Sequence, residues 1–265
     1  MSSPAIVLKS VVPKLVPFFK TLAIYFVTFI PFENPSLWSM LIKVLPMLSL
    51  IFFVSLQGVG FKDEYTFSRR ILVGLIFSTI GDALLVWKDY FILGMASFGT
   101  AHICYMKAFG LNNLNTKAGI VLFTLSSFVA SKILPGTAGE FTVGVVLYTI
   151  CITTMLWSVT SRLTSAGKNW SWTDLVPCIG GYIFAISDTF IAFDKFISPV
   201  ANAQLIIMTT YYFSQFAIAL SVVDSSSICK QAHEKLQEET ESEIVGKSGD
   251  ELFSETARIK TKTRS

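Results

Sequence analysis

Long apolar runs separated by short polar segments occupy most of the chain before residue 223. A transmembrane helix needs about 20 mostly apolar residues to cross a hydrocarbon core of about 30 Å. The runs predict eight such helices, over about 15–32, 37–56, 71–87, 90–109, 118–134, 141–161, 175–193 and 200–222. We therefore predict an all-α, polytopic transmembrane helical bundle in residues 1–223, followed by a polar, disordered cytosolic tail in residues 224–265.

The composition agrees with a membrane protein. Of 265 residues, 52% are hydrophobic and 15% are charged, and the mean hydropathy is +0.59. The net charge of +3 is small and comes mostly from residues that flank the apolar runs, so it gives no support to nucleic-acid binding. The four cysteines lack a C-x-x-C spacing and do not indicate disulfides.

Lysine and arginine are unevenly distributed between the connections, which orients the chain. One set of connections carries Lys9, Lys14, Lys62, Arg69, Arg70, Lys117, Arg162 and Lys168. The alternate set carries only Lys88, Lys132 and Lys195. Because short loops rich in lysine and arginine stay in the cytosol, both termini are predicted to be cytosolic.

Two aspartates lie inside predicted helices, in segments of similar sequence. Asp82 stands in IGDALLVWKDY (80–90) and Asp188 in ISDTFIAFDKF (186–196). An ionisable group in hydrocarbon is costly unless it is paired, neutralised or facing a polar cavity, so both predict a functional site. At 1.5 Å per residue, each would lie about 9 Å from the non-cytosolic end of its helix. The similarity suggests a weak 4+4 parallel repeat, with chance similarity of apolar segments as the alternative.

Lys43 is predicted to reach the same layer as the aspartates, from the second helix. If Lys43 pairs with one carboxylate, the net charge of the site is about minus one. The net charge is zero if the second carboxyl keeps its proton. The alternative is that Lys43 extends to the membrane interface.

A polar face on the fourth and eighth helices extends the predicted site towards the cytosol. It carries Gly94, Phe98, His102 and Tyr105 at helical spacing, and Tyr211, Tyr212 and Gln215. Such a seam would suit a lipid with a polar head and an apolar tail, and we predict that it binds substrate through Lys43, His102, Tyr105, Tyr212 and Gln215. For His102 and Gln215, a single interhelical hydrogen bond is an equal alternative, and tyrosines often serve as interfacial anchors.

Several common hydrolase sites lack their residues. A catalytic zinc site needs about three His, Cys or carboxylate ligands, whereas the only histidines are His102 and His233. A histidine-based zinc site is therefore excluded, and we predict no metal and no cofactor. The sequence has no G-x-S-x-G elbow and no glycine-rich phosphate loop, so serine-lipase and nucleotide-binding functions lack their motifs.

Several short phrases occur along the chain in the order of a known family. They are KVLPM (43–47), GDALL (81–85), GMASF (94–98) with AHICY (101–105), SD (187–188) and YYFSQ (211–215). Together they resemble the lysoplasmalogenase (YhhN-like) family of eight-helix membrane proteins, over residues 15–223. The resemblance implies hydrolysis of the vinyl ether bond of lysoplasmalogens, to a fatty aldehyde and glycerophosphocholine or glycerophosphoethanolamine, in the endoplasmic reticulum membrane.

The chemistry of two carboxyls fits a vinyl ether better than an ester. A vinyl ether has no carbonyl to attack, and it is cleaved by protonation of its β-carbon, which gives an oxocarbenium ion that water captures. One protonated acid and one nearby anion can divide these roles, as in glycosidases. We therefore predict Asp82 and Asp188 as catalytic residues and leave open which is the acid.

Two functions of other classes compete with this hydrolase. A proton- or cation-coupled transporter or channel would use the same aspartates, and a lipid-binding protein would release its lipid unchanged. The predicted partners are a lysophospholipid and the bilayer, and the sequence leaves a homo-oligomer open.

Overall fold

The structure is a computed structural model that describes residues 4–31, 34–58, 65–165 and 172–223. All regular elements in these ranges are helical. The α-helices are α1 (Pro4–Thr28), α2 (Leu37–Ser55), α3 (Thr66–Leu84), α4 (Phe91–Phe109), α5 (Thr116–Ile133), α6 (Glu140–Ser165), α7 (Trp172–Phe196) and α8 (Ala203–Leu220). The predicted all-α bundle of eight helices is confirmed. The predicted tail, 224–265, lies outside the described residues.

Six of these helices are long and apolar enough to cross a membrane, namely α1, α2 and α5 to α8. The chain is thus a multi-pass membrane protein, although fewer helices meet this criterion than the eight spans predicted. The two that do not, α3 and α4, contain buried polar residues such as Asp82 and His102. Together with Arg69, Arg70 and Lys107, these polar side chains lower the hydropathy of the two helices without shortening them.

The end of α3 differs from the prediction. The helix stops at Leu84 and not near residue 87, because the chain turns there and reaches extended geometry at Trp87. The turn packs closely on α4: a Cβ placed on Gly94 would lie 2.6 Å from the side chain of Leu85. Asp82 therefore stands in the last turn of α3, and the predicted equal distance of both aspartates from their helix ends is wrong.

Small residues let the helices that carry the aspartates approach their neighbours closely. The ring of Tyr105 lies directly over Gly74, and a Cβ on Gly81 would lie 2.6 Å from the ring of Phe98. Close approach at small residues is a main source of helix packing in membranes. The pairs α3–α4 and α7–α8 are the most extensively packed, whereas α1 packs on α2 and α5 on α6. The polar faces of α3, α4, α7 and α8 consequently meet inside the bundle.

Candidate active site

Asp82 is enclosed by the bundle and contacts a lysine and a tyrosine. It is 2% exposed, and Lys43 Nζ lies 3.6 Å from its Oδ1. The Lys43 ammonium also donates to the backbone carbonyl of Asp82 at 3.2 Å, and the Tyr211 hydroxyl donates to Oδ2 at 2.5 Å. Tyr212 in turn donates to the backbone carbonyl of Lys43 at 2.7 Å. α2, α3 and α8 are therefore joined at a buried ion pair.

A set of neutral polar groups lies one helical turn before Asp82. The Tyr105 hydroxyl donates to Gln215 Oε1 at 2.8 Å, and Gln215 Nε2 donates to Ser78 Oγ at 3.2 Å. Ser78 Oγ and the Tyr105 hydroxyl are 3.4 Å apart, which closes the ring. The three side chains satisfy one another, an arrangement typical of an interhelical link.

Asp188 belongs to a second polar cluster, with residues from α4 and α6. The Tyr148 hydroxyl donates to Asp188 Oδ2 at 2.5 Å. His102 Nε2 lies 2.9 Å from the Tyr148 oxygen and 3.4 Å from Asp188 Oδ2. Because the Tyr148 proton points to Asp188, His102 must donate from Nε2. Among the described residues, His102 Nδ1 has no hydrogen-bond partner.

Aromatic rings connect the two clusters. The Phe98 and Phe184 rings lie 5.8 and 5.7 Å from the Tyr211 ring, at the Asp82 cluster. Phe184 also lies 4.6 Å from the His102 ring, at the Asp188 cluster. Both aspartates consequently belong to one interior site, with the rings between them.

A cavity of about 260 Å³ lies between α4, α5, α6 and α7 and reaches only one of the two aspartates. Its wall is largely apolar; among the described residues that line it, Asp188 is the one charged side chain and Tyr148 is one of the few polar ones. Asp82 and Lys43 do not line it. A molecule in the cavity would therefore meet Asp188 directly and Asp82 only through intervening rings.

The cavity is elongated along the helices and reaches the outer surface. On α7 its lining runs from Tyr182 to Phe196, a distance of about 21 Å at 1.5 Å per residue. Leu125 of α5 and Ile186 of α7 also line it, and they are 59% and 49% exposed. The cavity thus opens sideways between α5 and α7, on the face that lipid would cover.

The structure divides the predicted site residues between the two clusters and one separate pair. Lys43 and Tyr212 lie with Asp82, His102 lies with Asp188, and Tyr105 and Gln215 hydrogen-bond each other away from the cavity. The sequence analysis did not identify Tyr148, although the depth of this residue in its helix could have indicated it. Tyr148 stands about 12 Å inside α6, too deep for an interfacial anchor.

In the described part of the chain, no three His, Cys, Asp or Glu side chains are placed to hold a metal ion. The site instead combines two carboxyls, a lysine, an imidazole and several phenols. Groups of this kind bind, donate and accept protons. The prediction that no metal is needed stays a prediction, tested by chelation below.

Tyr148→Phe should lower turnover about tenfold to a hundredfold. The change removes the hydroxyl that orients Asp188 Oδ2 and leaves His102 Nε2 with a less favourable partner. Product release by the purified variant, compared with Tyr90→Phe at an exposed position, measures the effect. Wild-type turnover by Tyr148→Phe would show that the Tyr148 hydroxyl is dispensable.

Comparisons with known proteins place the chain among membrane proteins of one family. The YhhN family model matches residues 38–222. A Bos taurus protein, Lysoplasmalogenase TMEM86A, is 43% identical over 227 residues, which are 85% of this chain and 95% of that protein. A Sus scrofa protein, Lysoplasmalogenase TMEM86B, is 36% identical over 216 residues, 81% of this chain and 88% of that protein. No solved structure matches the chain. Since the family match runs from α2 to α8 and includes both polar clusters, the chain belongs to the YhhN family.

Proposed function

We propose that this protein is a lysoplasmalogenase, which hydrolyses the vinyl ether bond of 1-alkenyl lysophospholipids. The products would be a fatty aldehyde and glycerophosphocholine or glycerophosphoethanolamine. The observation that carries the proposal is a single carboxyl, Asp188, among the described residues that line a largely apolar cavity. The names of the similar proteins, Lysoplasmalogenase TMEM86A and TMEM86B, support the same activity.

We assign the proton-transfer steps to Asp188, because it lines the cavity. Its Oδ2 is held by Tyr148, whereas among the described residues Oδ1 has no hydrogen-bond partner and is available to the substrate. A protonated Asp188 would donate to the β-carbon of the vinyl ether and leave an oxocarbenium ion. Water then adds to the α-carbon and returns a proton to the Asp188 carboxylate. The hemiacetal collapses to the aldehyde, and the glycerol oxygen leaves with the hemiacetal proton.

One carboxyl can therefore serve first as acid and then as base, as in retaining glycosidases. Asp82 is given a different role, because it is enclosed and paired with Lys43. We assign it to positioning: it anchors Tyr211, which packs against Phe98 and Phe184. The carboxylate also adds a fixed charge to the interior in which the cation forms.

The competing transporter function is not supported. Asp82, one of the two aspartates that a transporter would use, is buried and already paired with Lys43, and the similar proteins carry the name of an enzyme. The proposed location is the endoplasmic reticulum membrane with both termini in the cytosol. The lysine and arginine distribution supports this orientation, and the family resemblance supports the compartment.

The purified protein should cleave 1-alkenyl lysophospholipids and leave the matching 1-acyl and 1-alkyl lysolipids intact. Only the alkenyl ether accepts a proton at carbon to give a stabilised cation, and this chemistry should persist in excess chelator. The release of aldehyde and of free fatty acid is measured for each of the three lipids, with and without chelator. Comparable acyl cleavage would indicate a nucleophilic lipase. Activity that is lost on chelation and restored by a divalent ion would make the aspartates metal ligands.

A further inference from the structure

Three phenylalanine rings surround a lysine ammonium at the end of the bundle where α4 and α6 begin and α7 ends. Lys195 Nζ lies 4.1, 5.6 and 6.0 Å from the ring centroids of Phe91, Phe141 and Phe196. The three centroids are 5.7 to 6.0 Å from one another. We call these rings the phenylalanine cage. Aromatic cages attract ammonium and quaternary ammonium groups through the negative faces of their rings.

The phenylalanine cage adjoins the cavity that contains Asp188. Phe91 and Phe196 line that cavity, and Phe196 follows Asp188 by about 12 Å along α7. In an extended 1-alkenyl lysophosphocholine, about ten bonds separate the reacting α-carbon from the amine nitrogen. At the advance of an extended peptide chain, about 1.2 Å per bond, this is about 12 Å. A lipid with its vinyl ether at Asp188 would therefore place its amine at the cage.

The surroundings of the phenylalanine cage would suit a phosphate. Lys88 stands three residues before Phe91 of the phenylalanine cage, so a second ammonium group is carried at this end of the bundle. In the described ranges, neither Lys88 nor Lys195 forms an ion pair with a carboxylate. Asp194, the neighbour of Lys195 in sequence, instead accepts from the backbone N–H of Val200 at 2.8 Å. The two lysines, which we call the lysine pair, therefore give this end of the bundle two positive charges.

We propose that the phenylalanine cage and this lysine pair bind the zwitterionic headgroup of the substrate. The ammonium of choline or ethanolamine replaces the Lys195 ammonium between the rings. Lys195 is exposed and flexible, and it turns with Lys88 to the phosphate. The apolar arm of the cavity on the other side of Asp188, towards Tyr182, receives the hydrocarbon chain. This inference rests on the proposed function for the identity of the lipid.

Binding of uncleaved lipids tests the headgroup site without catalysis. The probes are 1-alkyl glycerophosphocholine and 1-alkyl glycerophosphate, which share chain and phosphate but differ in the amine. Phe141→Leu should weaken binding of the phosphocholine lipid about fivefold and leave the phosphate lipid unchanged. Phe141→Tyr, which keeps a ring, should retain wild-type affinity for both. Lys195→Met should weaken both lipids, because both carry the phosphate.

Phe128→Leu is the matched control, because it makes the same change at a phenylalanine that also contacts a lysine. Lys132 Nζ lies 5.4 Å from the Phe128 ring centroid, on the exposed face of α5. It should alter neither affinity. If Phe141→Leu lowered the affinity for both lipids equally, Phe141 would not recognise the amine, and the proposal would be overturned. An unchanged affinity for both lipids would also overturn it. Selective binding without alkenyl cleavage would leave the headgroup site standing and remove the proposed function. Alkenyl cleavage without selective binding would leave the proposed function standing and remove the headgroup site.

Discussion

Asp188→Asn should lower aldehyde release about a thousandfold, within the range that general acid–base catalysis contributes. The amide keeps the shape of the side chain and its contact with Tyr148. It does not donate a proton to the β-carbon and does not accept one from the attacking water. Single-turnover aldehyde release from a 1-alkenyl lysophospholipid measures the effect on the chemical step.

Asp89→Asn gives the matched control, because it makes the same change at an exposed carboxyl and should retain full activity. Binding of an uncleaved 1-alkyl lysolipid should be unchanged in Asp188→Asn, which separates chemistry from binding. If Asp188→Asn released aldehyde at close to the wild-type rate, the proton-transfer role would have to move to another residue.

Asp82→Asn should reduce both stability and activity, and a second substitution should separate the two effects. The single change leaves the buried Lys43 ammonium without its carboxylate, and breaking a buried pair in this way costs about 3–5 kcal/mol of unfolding free energy. The double variant Lys43→Met, Asp82→Asn removes both charges. It should recover most of the stability while activity stays at least about a hundredfold low.

Thermal unfolding in detergent and aldehyde release are measured on Asp82→Asn, on Lys43→Met and on the double variant. The three variants and the wild type form a double-mutant cycle. Recovery of activity together with stability would show that the Lys43–Asp82 pair serves folding alone. Failure to recover stability would show that the pair contributes more than charge compensation to the packing of α2 on α3.

The sequence predicts the helices well and the contacts of the site only in part. Apolar runs of membrane length identify all eight helices, because the bilayer sets that length. The burial cost of a charge singles out Asp82, Asp188 and Lys43, since few such groups occur in apolar segments. Their partners are harder to predict. Tyr148 and Tyr211 reach the carboxylates across helix contacts that no local pattern encodes.

Local turn geometry also limits the prediction. The apolar stretch after Asp82 resembles a continued helix, yet the chain turns at Leu85 so that Gly94 of α4 can pack against it. The close contact between this turn and α4 is a tertiary feature that the local sequence does not show. The division between an enclosed Asp82 and an Asp188 in the cavity wall depends on the same packing.

The cavity opens sideways between α5 and α7, where Leu125 and Ile186 line it and face outwards. Substrate therefore enters from the bilayer and not from water. A single-chain lipid in the same leaflet reaches this opening by lateral diffusion and need not leave the membrane. The concentration that governs the rate is then a surface density, lysolipid per area of membrane, and not an amount per volume of water. After cleavage the two products separate by solubility: the aldehyde returns to the bilayer, and the water-soluble glycerophosphodiester departs into the aqueous phase.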